Sequence, residues 1–406
     1  MTRARSSRRR PRAGAPRRFT RRLPAVALVV AAGLATFSLA SSSSRADVSG
    51  AGWWSGLLPR GFPQPRVPAA NPMSDAKVAV GRRLFYDTRL SGNDTQSCGS
   101  CHRQDLAFTD GRTVAVGSTG QSHPRNAQSL VNVAYEATLT WANPALVTLE
   151  RQMAVPLFGT RPVEMGLTDA NKASVLARIR GDRWYAARFP RAFPALRRPI
   201  SWTTIIRSIA AFERSIVSAD SRYDRYLRGE LKLTAPEFRG RNLFVSERAE
   251  CSHCHGNFIF NDQATYVGAP AESPKFHNTG LYNIAGTGAF PVPNRGLFEI
   301  TGRPEDMGRF RAPSLRNVAL TAPYMHDGSI TTLAQAVDHY AAGGRLITDG
   351  PYAGDGRRNP YKDPLISPLR LSARDRADLV AFLTSLSDSR VTRSRRLSDP
   401  FTLSAR

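Results

Sequence analysis

Four segments of the chain carry apolar residues at helical spacing. They span residues 76–87, 203–217, 235–245 and 372–386. Apolar side chains that recur every three or four positions form one face of a helix, so each segment predicts an amphipathic helix. Few stretches alternate polar and apolar residues, as half-buried strands do. The pattern predicts a mainly α-helical fold with long irregular loops.

Two of these helices also have start signals. Ser74 and Asp75 precede the first one, and both residue types are good N-caps. Ser372 and Asp375 have the spacing of a capping box at the start of the last one. The apolar face of the last helix consists of Leu379, Phe382, Leu383 and Leu386.

A five-residue pattern occurs twice and follows a repeated helix. "CGSCH" at residues 98–102 and "CSHCH" at residues 251–255 contain all four cysteines of the 406-residue chain. "GRRLF" at 81–85 and "GRNLF" at 240–244 precede them, by 17 and 11 residues from glycine to first cysteine. A repeated motif behind a repeated helix indicates two copies of one structural unit.

These copies suggest how the chain is divided. Residues 256–312 are rich in Gly, Pro and Asn, and loops of that length are usually functional. We predict a signal peptide at 1–46, an extended lead-in at 47–71, helical domains at 72–217 and 218–392, and a tail at 393–406.

The first 46 residues have the composition of a secretory signal. Residues 1–22 hold ten arginines and no acid, an apolar run follows at 23–40, and small residues come next. A membrane anchor is the alternative, since a run of 18 residues can just span a bilayer. Polar and helix-breaking residues dilute this run, which favours a cleaved signal. We therefore expect a periplasmic or otherwise exported protein with no stable membrane insertion.

The charge of the chain narrows its possible partners. The formal charge is +25, and it falls to +14 without residues 1–46, which contain eleven arginines and no acid. No nucleic-acid-binding module is recognisable, so no nucleic-acid partner is expected. An exported basic protein is more consistent with docking to an acidic partner surface.

The two CxxCH motifs have the spacing for covalent haem c. Two thiols three positions apart can react with the two vinyl groups of haem, and the next histidine can bind the iron. One zinc site built from both cysteine pairs is the alternative, but zinc needs no histidine after each pair. The motifs predict two haem c groups. The expected attachment and proximal ligand residues are Cys98, Cys101, His102, Cys251, Cys254 and His255.

Motifs across nearly the whole chain are typical of one enzyme family. They include "GRRLFYDTRLSGNDTQSCGSCH", "AFTDG", "PRNAQSLVNVAY", "RPVEMG", "CSHCHGNF" and "LRNVALTAPYMHDGS", and they extend from about residue 72 to 390. These motifs resemble those of the di-haem cytochrome c peroxidases and the related MauG enzymes. The resemblance implies two cytochrome c-like haem domains, a peroxidatic N-terminal one and an electron-transferring C-terminal one. It also implies that hydrogen peroxide reacts at the first haem.

The segment "AVGSTGQSHPRN" departs from the peroxidase pattern. Peroxidases of this family often have a histidine just after "VG" that caps the first haem, where this chain has Ser118, a poor iron ligand. His123 lies five residues too late for that position. An empty sixth position admits peroxide, so the comparison implies a first iron that is open without prior activation.

The helix after "HDG" supplies the sixth ligand of the second haem in this family. The peroxidases have a methionine there, whereas "AVDHY" places Tyr340 at that position, as in the MauG group. His339 is the nearest alternative, but adjacent helical residues point about 100° apart, so at most one of them faces the iron. Met325 in "PYMHDG" is a further alternative. A tyrosinate donates charge to the iron and lowers its reduction potential, which favours the storage of oxidising power.

The resemblance also implies roles for three residues near the first haem. Glu164 in "RPVEMG" matches the distal acid of the family, which moves the peroxide proton, and Gln152 in "LERQ" is expected nearby. Trp141 in "WANP" matches a tryptophan that passes electrons between the haems. Without the resemblance, Glu164 is more simply a solvated or salt-bridged glutamate, and Trp141 a core aromatic residue.

A calcium site between the haems is a further implication of the resemblance. Asn126 matches a family ligand, together with backbone carbonyls near Thr321 and Pro323. Oxygen ligands suit calcium, so one bound calcium ion is expected.

The segment "FHNTGLYNIAGTGAFPVPNRGLFEITGRPEDMGRF" has a narrower resemblance, to the methanobactin-associated di-haem enzymes (MbnH-like). In that group the target is a tryptophan of a partner protein, which is converted to kynurenine. The expected function is therefore peroxide-driven oxidation of an exported partner protein. The alternatives are a peroxidase that draws electrons from a small redox protein, and a non-enzymatic electron carrier with both irons closed.

Overall fold

Helices dominate the residues that the computed structural model describes, which are 51–59, 61–270 and 273–402. The α-helices are α1 (Asp75–Tyr86), α2 (Cys98–Cys101), α3 (Leu149–Gln152), α4 (Ala154–Phe158), α5 (Lys172–Gly181), α6 (Arg183–Ala192), α7 (Trp202–Arg214), α8 (Arg222–Leu227), α9 (Ala235–Phe244), α10 (Cys251–His255), α11 (Phe298–Thr301), α12 (Leu333–Ala341), α13 (Ala373–Ser385) and α14 (Ser389–Arg393). Short 3-10 helices span Ala51–Trp54, Thr88–Leu90, Gln104–Leu106, Val133–Tyr135, Pro304–Asp306, Val318–Leu320 and Gly356–Arg358. Two short strands, β1 (Leu346–Ile347) and β2 (Gly354–Asp355), pair antiparallel. The predicted mainly α-helical fold is confirmed.

The helices predicted from apolar spacing are present, with the expected start signals. Ser74 caps α1, and its hydroxyl accepts a hydrogen bond from the N–H of Lys77. At α13 the hydroxyl of Ser372 accepts from the N–H of Asp375, whose carboxylate accepts from the N–H of Ser372. The predicted capping box therefore forms. The prediction for α7 was wrong at one end, because that helix stops at Arg214 rather than at residue 217.

A side-chain clamp explains the early end of α7. The Nδ2 of Asn132 donates to the carbonyl of Ser218 at 3.0 Å, and its Oδ1 accepts from the N–H of Ser218 at 2.9 Å. The backbone N–H of Asn132 also donates to the carbonyl of Ile216 at 2.8 Å. Backbone groups just past the helix are thus satisfied without further helical turns.

Two glycines allow the two main helix pairs to cross at close range. A Cβ at Gly81 of α1 would lie 1.8 Å from the carbonyl oxygen of Ser208 in α7. A Cβ at Gly240 of α9 would lie 1.9 Å from the carbonyl oxygen of Asp378 in α13. Real Cβ atoms do not approach backbone so closely, so both crossings need glycine. The repeated "GRxLF" sequence therefore marks the same packing in both halves.

The repeat extends to the segments that follow each CxxCH motif. Asn132 and Asn317 both adopt left-handed backbone angles, with φ of 60° and 64°. Like Asn132 beyond α7, Asn317 binds the chain beyond α13: its N–H donates to the carbonyl of Leu386, and its Oδ1 accepts from the N–H of Asp388. Sequence reasoning missed this second repeat, which is visible as "SLVNVA" and "SLRNVA".

Two main hydrophobic cores lie in the compact unit to which the described residues belong. The first surrounds α1, α6 and α7 and includes Phe85 and Phe212. The second surrounds α9 and α13 and includes Phe244 and Phe382. A smaller third cluster consists of Ala142, Leu281, Tyr282, Phe290, Phe310, Ile330 and Ala336. The domain boundaries at 217/218 and 392/393 stay predictions.

The two ends of the described chain reach across the molecule. In the lead-in, the carbonyl of Pro63 accepts from the Tyr135 hydroxyl, and the guanidinium of Arg66 donates to the carbonyl of Tyr266. At the other end, Leu397 is buried in the first core, and its carbonyl accepts from the hydroxyl of Tyr86. The C-terminal segment therefore packs on the N-terminal half.

The predicted signal peptide at 1–46 lies outside the described residues, as do residues 403–406 at the other end. Among the helices of the described ranges, none has the length and apolar character needed to cross a bilayer.

Candidate active site

The two CxxCH motifs form short helices that hold their histidines in the same way. The Nδ1 of His102 lies 2.9 Å from the carbonyl oxygen of Phe108, and the Nδ1 of His255 lies 2.8 Å from that of Phe260. Both phenylalanines have positive φ angles, 62° and 60°, which turn their carbonyls back toward the motif. A donor hydrogen bond from Nδ1–H fixes the tautomer and leaves the Nε2 lone pair free for iron.

Burial sets the protonation of these groups. It lowers the pKa of His102 and His255, which keeps both imidazoles in the neutral form that binds metal. It also raises the pKa of the thiols of Cys98, Cys101 and Cys251.

The arrangement of the thiols fits haem and does not fit the zinc alternative. All four cysteines are free of disulfides. Cys98 packs against the first core and Cys251 against the second. Over residues 51–59, 61–270 and 273–402, the thiols of the two motifs do not gather into one metal-binding group. Each pair instead stands beside one oriented imidazole, as attachment of a separate haem requires.

A large cavity lies against the first motif. Its volume is about 920 Å³, and its wall includes Cys98, Cys101 and His102. That volume is in the range of cofactor and ligand sites. Three residues predicted from the sequence line the same cavity: Trp141, Gln152 and Glu164. The structure thus brings together the first attachment site and the side chains expected around it.

Glu164 contacts a histidine that the sequence comparison had set aside. The Nε2 of His123 lies 3.3 Å from the Oε1 of Glu164, and both side chains line the cavity. The N–H of Ser118 donates to the backbone carbonyl of Glu164, while the Ser118 hydroxyl is buried without a partner among the described residues. Ser118 is not among the residues that line the cavity. His123 therefore lies in the site, although it comes five residues later in the chain than the capping histidine of the peroxidases.

Sequence reasoning missed a buried carboxyl group in the cavity wall. Glu213 of α7 lines the cavity, and its Oε2 has no hydrogen-bond partner among the described residues. Burial raises the pKa of Glu213 to about 8, with Arg214 opposing the shift. The group is thus a neutral acid near pH 7 and can donate a proton. In the sequence, Glu213 is the middle residue of "FER" and looks like an ordinary exposed glutamate of an amphipathic helix.

On α12 the structure separates the two candidate ligands of the second haem. The Nε2 of His339 lies 3.0 Å from the carbonyl oxygen of Thr279, so that imidazole is engaged with the backbone. Burial, together with the nearby Cys254 and Cys251, raises the pKa of the Tyr340 phenol. The Tyr340 hydroxyl has no hydrogen-bond partner among the described residues. The phenol of Tyr340 is therefore near enough to these thiols to feel their charge, whereas the imidazole of His339 is turned to the backbone at Thr279.

Trp141 lies where the cavity meets the third hydrophobic cluster. Trp141 lines the cavity, packs against that cluster, and donates from Nε1 to the carbonyl of Asn126 at 2.9 Å. Met325 packs against the same cluster. Trp141 is thus in contact with both the first haem cavity and the interior beyond it.

The residues expected to bind calcium lie on adjoining segments. The N–H of Asn126 donates to the carbonyl of His326, which follows Thr321 and Pro323 closely in the chain. The Nδ2 of Asn126 donates to the carbonyl of Arg112 at 2.7 Å, which leaves its Oδ1 as an acceptor. Calcium binding by these oxygens stays a prediction.

Known proteins with this sequence pattern are di-haem enzymes. The family described as "Di-haem cytochrome c peroxidase" matches residues 75–232. Cytochrome-c peroxidase IdrP1 of Denitromonas iodatirespirans is 35% identical over 345 residues, which cover 80% of this chain and 85% of that protein. Methylamine utilization protein MauG of Methylorubrum extorquens is 33% identical over 331 residues, which cover 81% and 82%.

A solved structure agrees with both the fold and the family. The crystal structure of a MauG-like protein associated with microbial copper homeostasis superposes with a TM-score of 0.84 at 57% identity. The match covers 85% of this chain and 98% of that one. These relatives are named as peroxidases and MauG proteins, so the predicted enzyme class is confirmed. The chain belongs to the di-haem cytochrome c peroxidase and MauG family of oxidoreductases, whose members carry two c-type haems.

Proposed function

We propose that this protein is an exported enzyme of the MauG type that uses hydrogen peroxide to oxidise a tryptophan of a partner protein. The first haem is attached to Cys98 and Cys101 with His102 as its ligand. The second is attached to Cys251 and Cys254, with His255 and Tyr340 as its ligands. Haem supplies an iron that reacts with peroxide and accepts electrons. The protein's residues control access, protons and electron flow.

The orientation of α12 carries this proposal. His339 is bound to the carbonyl of Thr279, while Tyr340 lies beside the thiols of the second motif. A tyrosinate ligand lowers the reduction potential of an iron, whereas the methionine of an ordinary peroxidase raises it. A low potential suits storage of oxidising power rather than storage of a reducing electron. The MauG-like structure at 57% identity supports the same reading.

The cavity side chains account for the chemistry at the first site. Glu164 reaches into the cavity beside His123, so a carboxyl group can take the first proton of peroxide and return it to the leaving oxygen. Gln152 lines the same wall and can donate a hydrogen bond there. Ser118 does not line the cavity, so its hydroxyl is not placed to close the first site.

A protein substrate must be oxidised from a distance. A folded partner is too large for a cavity of about 920 Å³, so its tryptophan stays outside while electrons pass through the enzyme. Trp141 lies between the first cavity and the third cluster and is proposed to carry electrons between the haems. A calcium ion bound by Asn126 and the carbonyls of Thr321 and Pro323 would fix the segments that hold this tryptophan.

The decisive experiment uses the holoenzyme, hydrogen peroxide and, as candidate partner, any small exported protein whose gene is found next to that of the enzyme. We expect peptide mass spectrometry to find one tryptophan of that protein converted to kynurenine. In Glu164→Gln the yield should fall by about 10²-fold or more, the usual size of a lost acid–base group. Glu299→Gln is the matched control, because Glu299 lines the same cavity but is paired with Arg125 at 2.7 Å. An unmodified partner, with peroxide still consumed, would contradict the proposal.

A second candidate is a peroxidase that reduces peroxide with electrons from a small redox protein. The relative named cytochrome-c peroxidase IdrP1, at 35% identity, favours it. The two candidates differ in what happens to the partner. A redox partner is oxidised reversibly and keeps its mass, whereas a protein substrate is changed covalently.

A further inference from the structure

A row of aromatic side chains leads from Trp141 to the protein surface. The ring of Trp141 lies 6.5 Å from that of His326, which lies 6.4 Å from Phe290. Phe290 lies 5.5 Å from Tyr282, and Tyr282 lies 5.8 Å from Tyr352. Tyr352 is 43% exposed, so the row begins at the first haem cavity and ends in solvent.

The members of this row differ in how readily they lose an electron. Indole and phenol rings are the oxidisable ones, so Trp141, Tyr282 and Tyr352 are the side chains in this row that can be oxidised and reduced in turn. Phe290 and His326 are both buried and fill the space between them. Burial lowers the pKa of His326 to about 4, so this spacer stays neutral near pH 7.

Tyr282 has a proton acceptor in place. Its hydroxyl donates to the Oδ2 of Asp327 at 2.6 Å, the short distance typical of a bond to a carboxylate. The other oxygen of Asp327 accepts from the N–H of Ser329 at 3.0 Å, which holds the carboxylate in position. A phenol that loses an electron becomes strongly acidic and must also lose its proton. Asp327 can take that proton without any movement of heavy atoms.

The row ends on a surface that suits a docked protein. Tyr352 lies in the loop between β1 and β2, and Leu346 of β1 is 52% exposed on the same hairpin. Arg357 and Arg358 follow β2 and both pair with Asp355. Tyrosine and arginine are enriched in protein interfaces, and the basic charge of the chain favours an acidic partner.

We infer that Tyr282 and Tyr352 form the exit route by which oxidising equivalents reach the partner protein, an inference that rests on the proposed function. One electron passes from Tyr282 toward Trp141 and the haems that peroxide has oxidised, and the phenol proton moves to Asp327. Tyr352 then gives one electron to the Tyr282 radical, which takes its proton back from Asp327, while the proton of Tyr352 goes to water. The partner's tryptophan finally gives one electron to the Tyr352 radical, which takes up a proton from water. Two such passages use the two oxidising equivalents of one peroxide, and the four-electron oxidation of one tryptophan to kynurenine takes two peroxides.

The test uses the full holoenzyme without a partner, treated with hydrogen peroxide and the nitroso spin trap 2-methyl-2-nitrosopropane. Adducts are mapped by peptide mass spectrometry, and EPR follows the ferric signals of the same samples. We expect the main adduct on Tyr352. In Tyr282→Phe this adduct should fall by about tenfold, as for a transfer step whose barrier has risen. Tyr226→Phe is the matched control, since Tyr226 of α8 stacks on Tyr223 away from this row and should leave the adduct unchanged.

Two further variants make the inference falsifiable if Tyr282→Phe folds poorly. Tyr352→Phe changes an exposed position and should abolish the adduct there. Asp327→Asn removes the proton acceptor and should also reduce the adduct on Tyr352. An equal Tyr352 adduct in Tyr282→Phe, or adducts on other residues with none on Tyr352, would overturn the route alone. Ferric signals that do not respond to peroxide in the wild type would overturn the proposed function as well.

Discussion

At the scale of single residues, two neighbours on α12 distinguish the proposed enzyme from an ordinary peroxidase. His339 is bound to the carbonyl of Thr279, and Tyr340 lies beside the second pair of thiols. Side chains of adjacent helical residues diverge by about 100°, so this bond to His339 fixes the direction of Tyr340 as well. The contact of His339 therefore supports the assignment of Tyr340 as the iron ligand, which the family motif also implies.

Replacement of the proposed ligand should change the second haem and leave its attachment intact. In Tyr340→Met the second haem should gain a higher reduction potential, since methionine ligation favours the reduced iron. Spectroelectrochemical titration should show this haem reduced first, and mass spectrometry should still find two haems per chain. His339→Gln is the control, because glutamine can keep a hydrogen bond to the carbonyl of Thr279 and should leave the titration unchanged. Identical titrations for Tyr340→Met and the wild type would rule out Tyr340 as the ligand.

The site residues that could be predicted from the sequence are those identified by their local spacing or by a family motif. CxxCH fixes two thiols and an imidazole within five positions, so the haem attachment sites followed directly. The contact of His123 with Glu164 did not, because it depends on how two distant loops fold against each other. Glu213 was missed for a similar reason, since only tertiary packing shows that it is buried at the cavity wall.

At the scale of elements, the repeated unit is a pair of helices that cross at a glycine. The carbonyl of Ser208 occupies the space beside Gly81, and the carbonyl of Asp378 occupies the space beside Gly240. Cys98 packs against the core of the first helix pair and Cys251 against the core of the second, so each pair supports one haem-attachment motif.

Alanine at either crossing should force the helices apart. We expect Gly81→Ala and Gly240→Ala to lower the free energy of unfolding by about 3 kcal/mol or more, because backbone cannot move aside as a flexible side chain can. Guanidinium unfolding of the holoprotein measures this. Gly181→Ala is the control: no heavy atom lies within 4 Å of its Cβ position, so alanine should be neutral or stabilising by up to about 1 kcal/mol. Equal effects at all three positions would contradict the crossing model.

A helix boundary could be predicted where the local sequence determines it. Caps and apolar spacing fixed the starts of α1 and α13, which the structure confirms. The end of α7 depends on Asn132, which is remote in sequence and clamps the chain at Ser218. The long stretch 256–312 lacks periodicity, so its two short helical turns, Phe298–Thr301 and Pro304–Asp306, could not be foreseen.

At the scale of the whole molecule, buried neutral histidines connect stability to pH. Burial lowers the pKa of both His326 and His339 to about 4. Their usual value is 6.5, so between pH 6.5 and 4 the unfolded chain binds protons that the folded protein excludes. Stability therefore rises with pH across this window and is lost as the pH falls toward 4.

Removal of one titrating group should weaken that pH dependence. As the pH falls from 7 to 5, His339 becomes protonated in the unfolded chain but stays neutral in the folded protein. This difference is expected to lower the free energy of unfolding by about 2 kcal/mol. In His339→Gln the difference between guanidinium unfolding at these two pH values should shrink by roughly this amount. A difference as large as in the wild type would show that His339 does not stay neutral in the folded protein.

The most direct test of the central claim is a titration of the fully oxidised holoenzyme with hydrogen peroxide, followed by EPR. An enzyme with an open first haem and Tyr340 on the second should react without prior reduction. The account predicts that one equivalent of peroxide removes the ferric signals of both haems together. Ferric signals that persist until one electron is first added to the second haem would contradict it, and would identify an ordinary peroxidase.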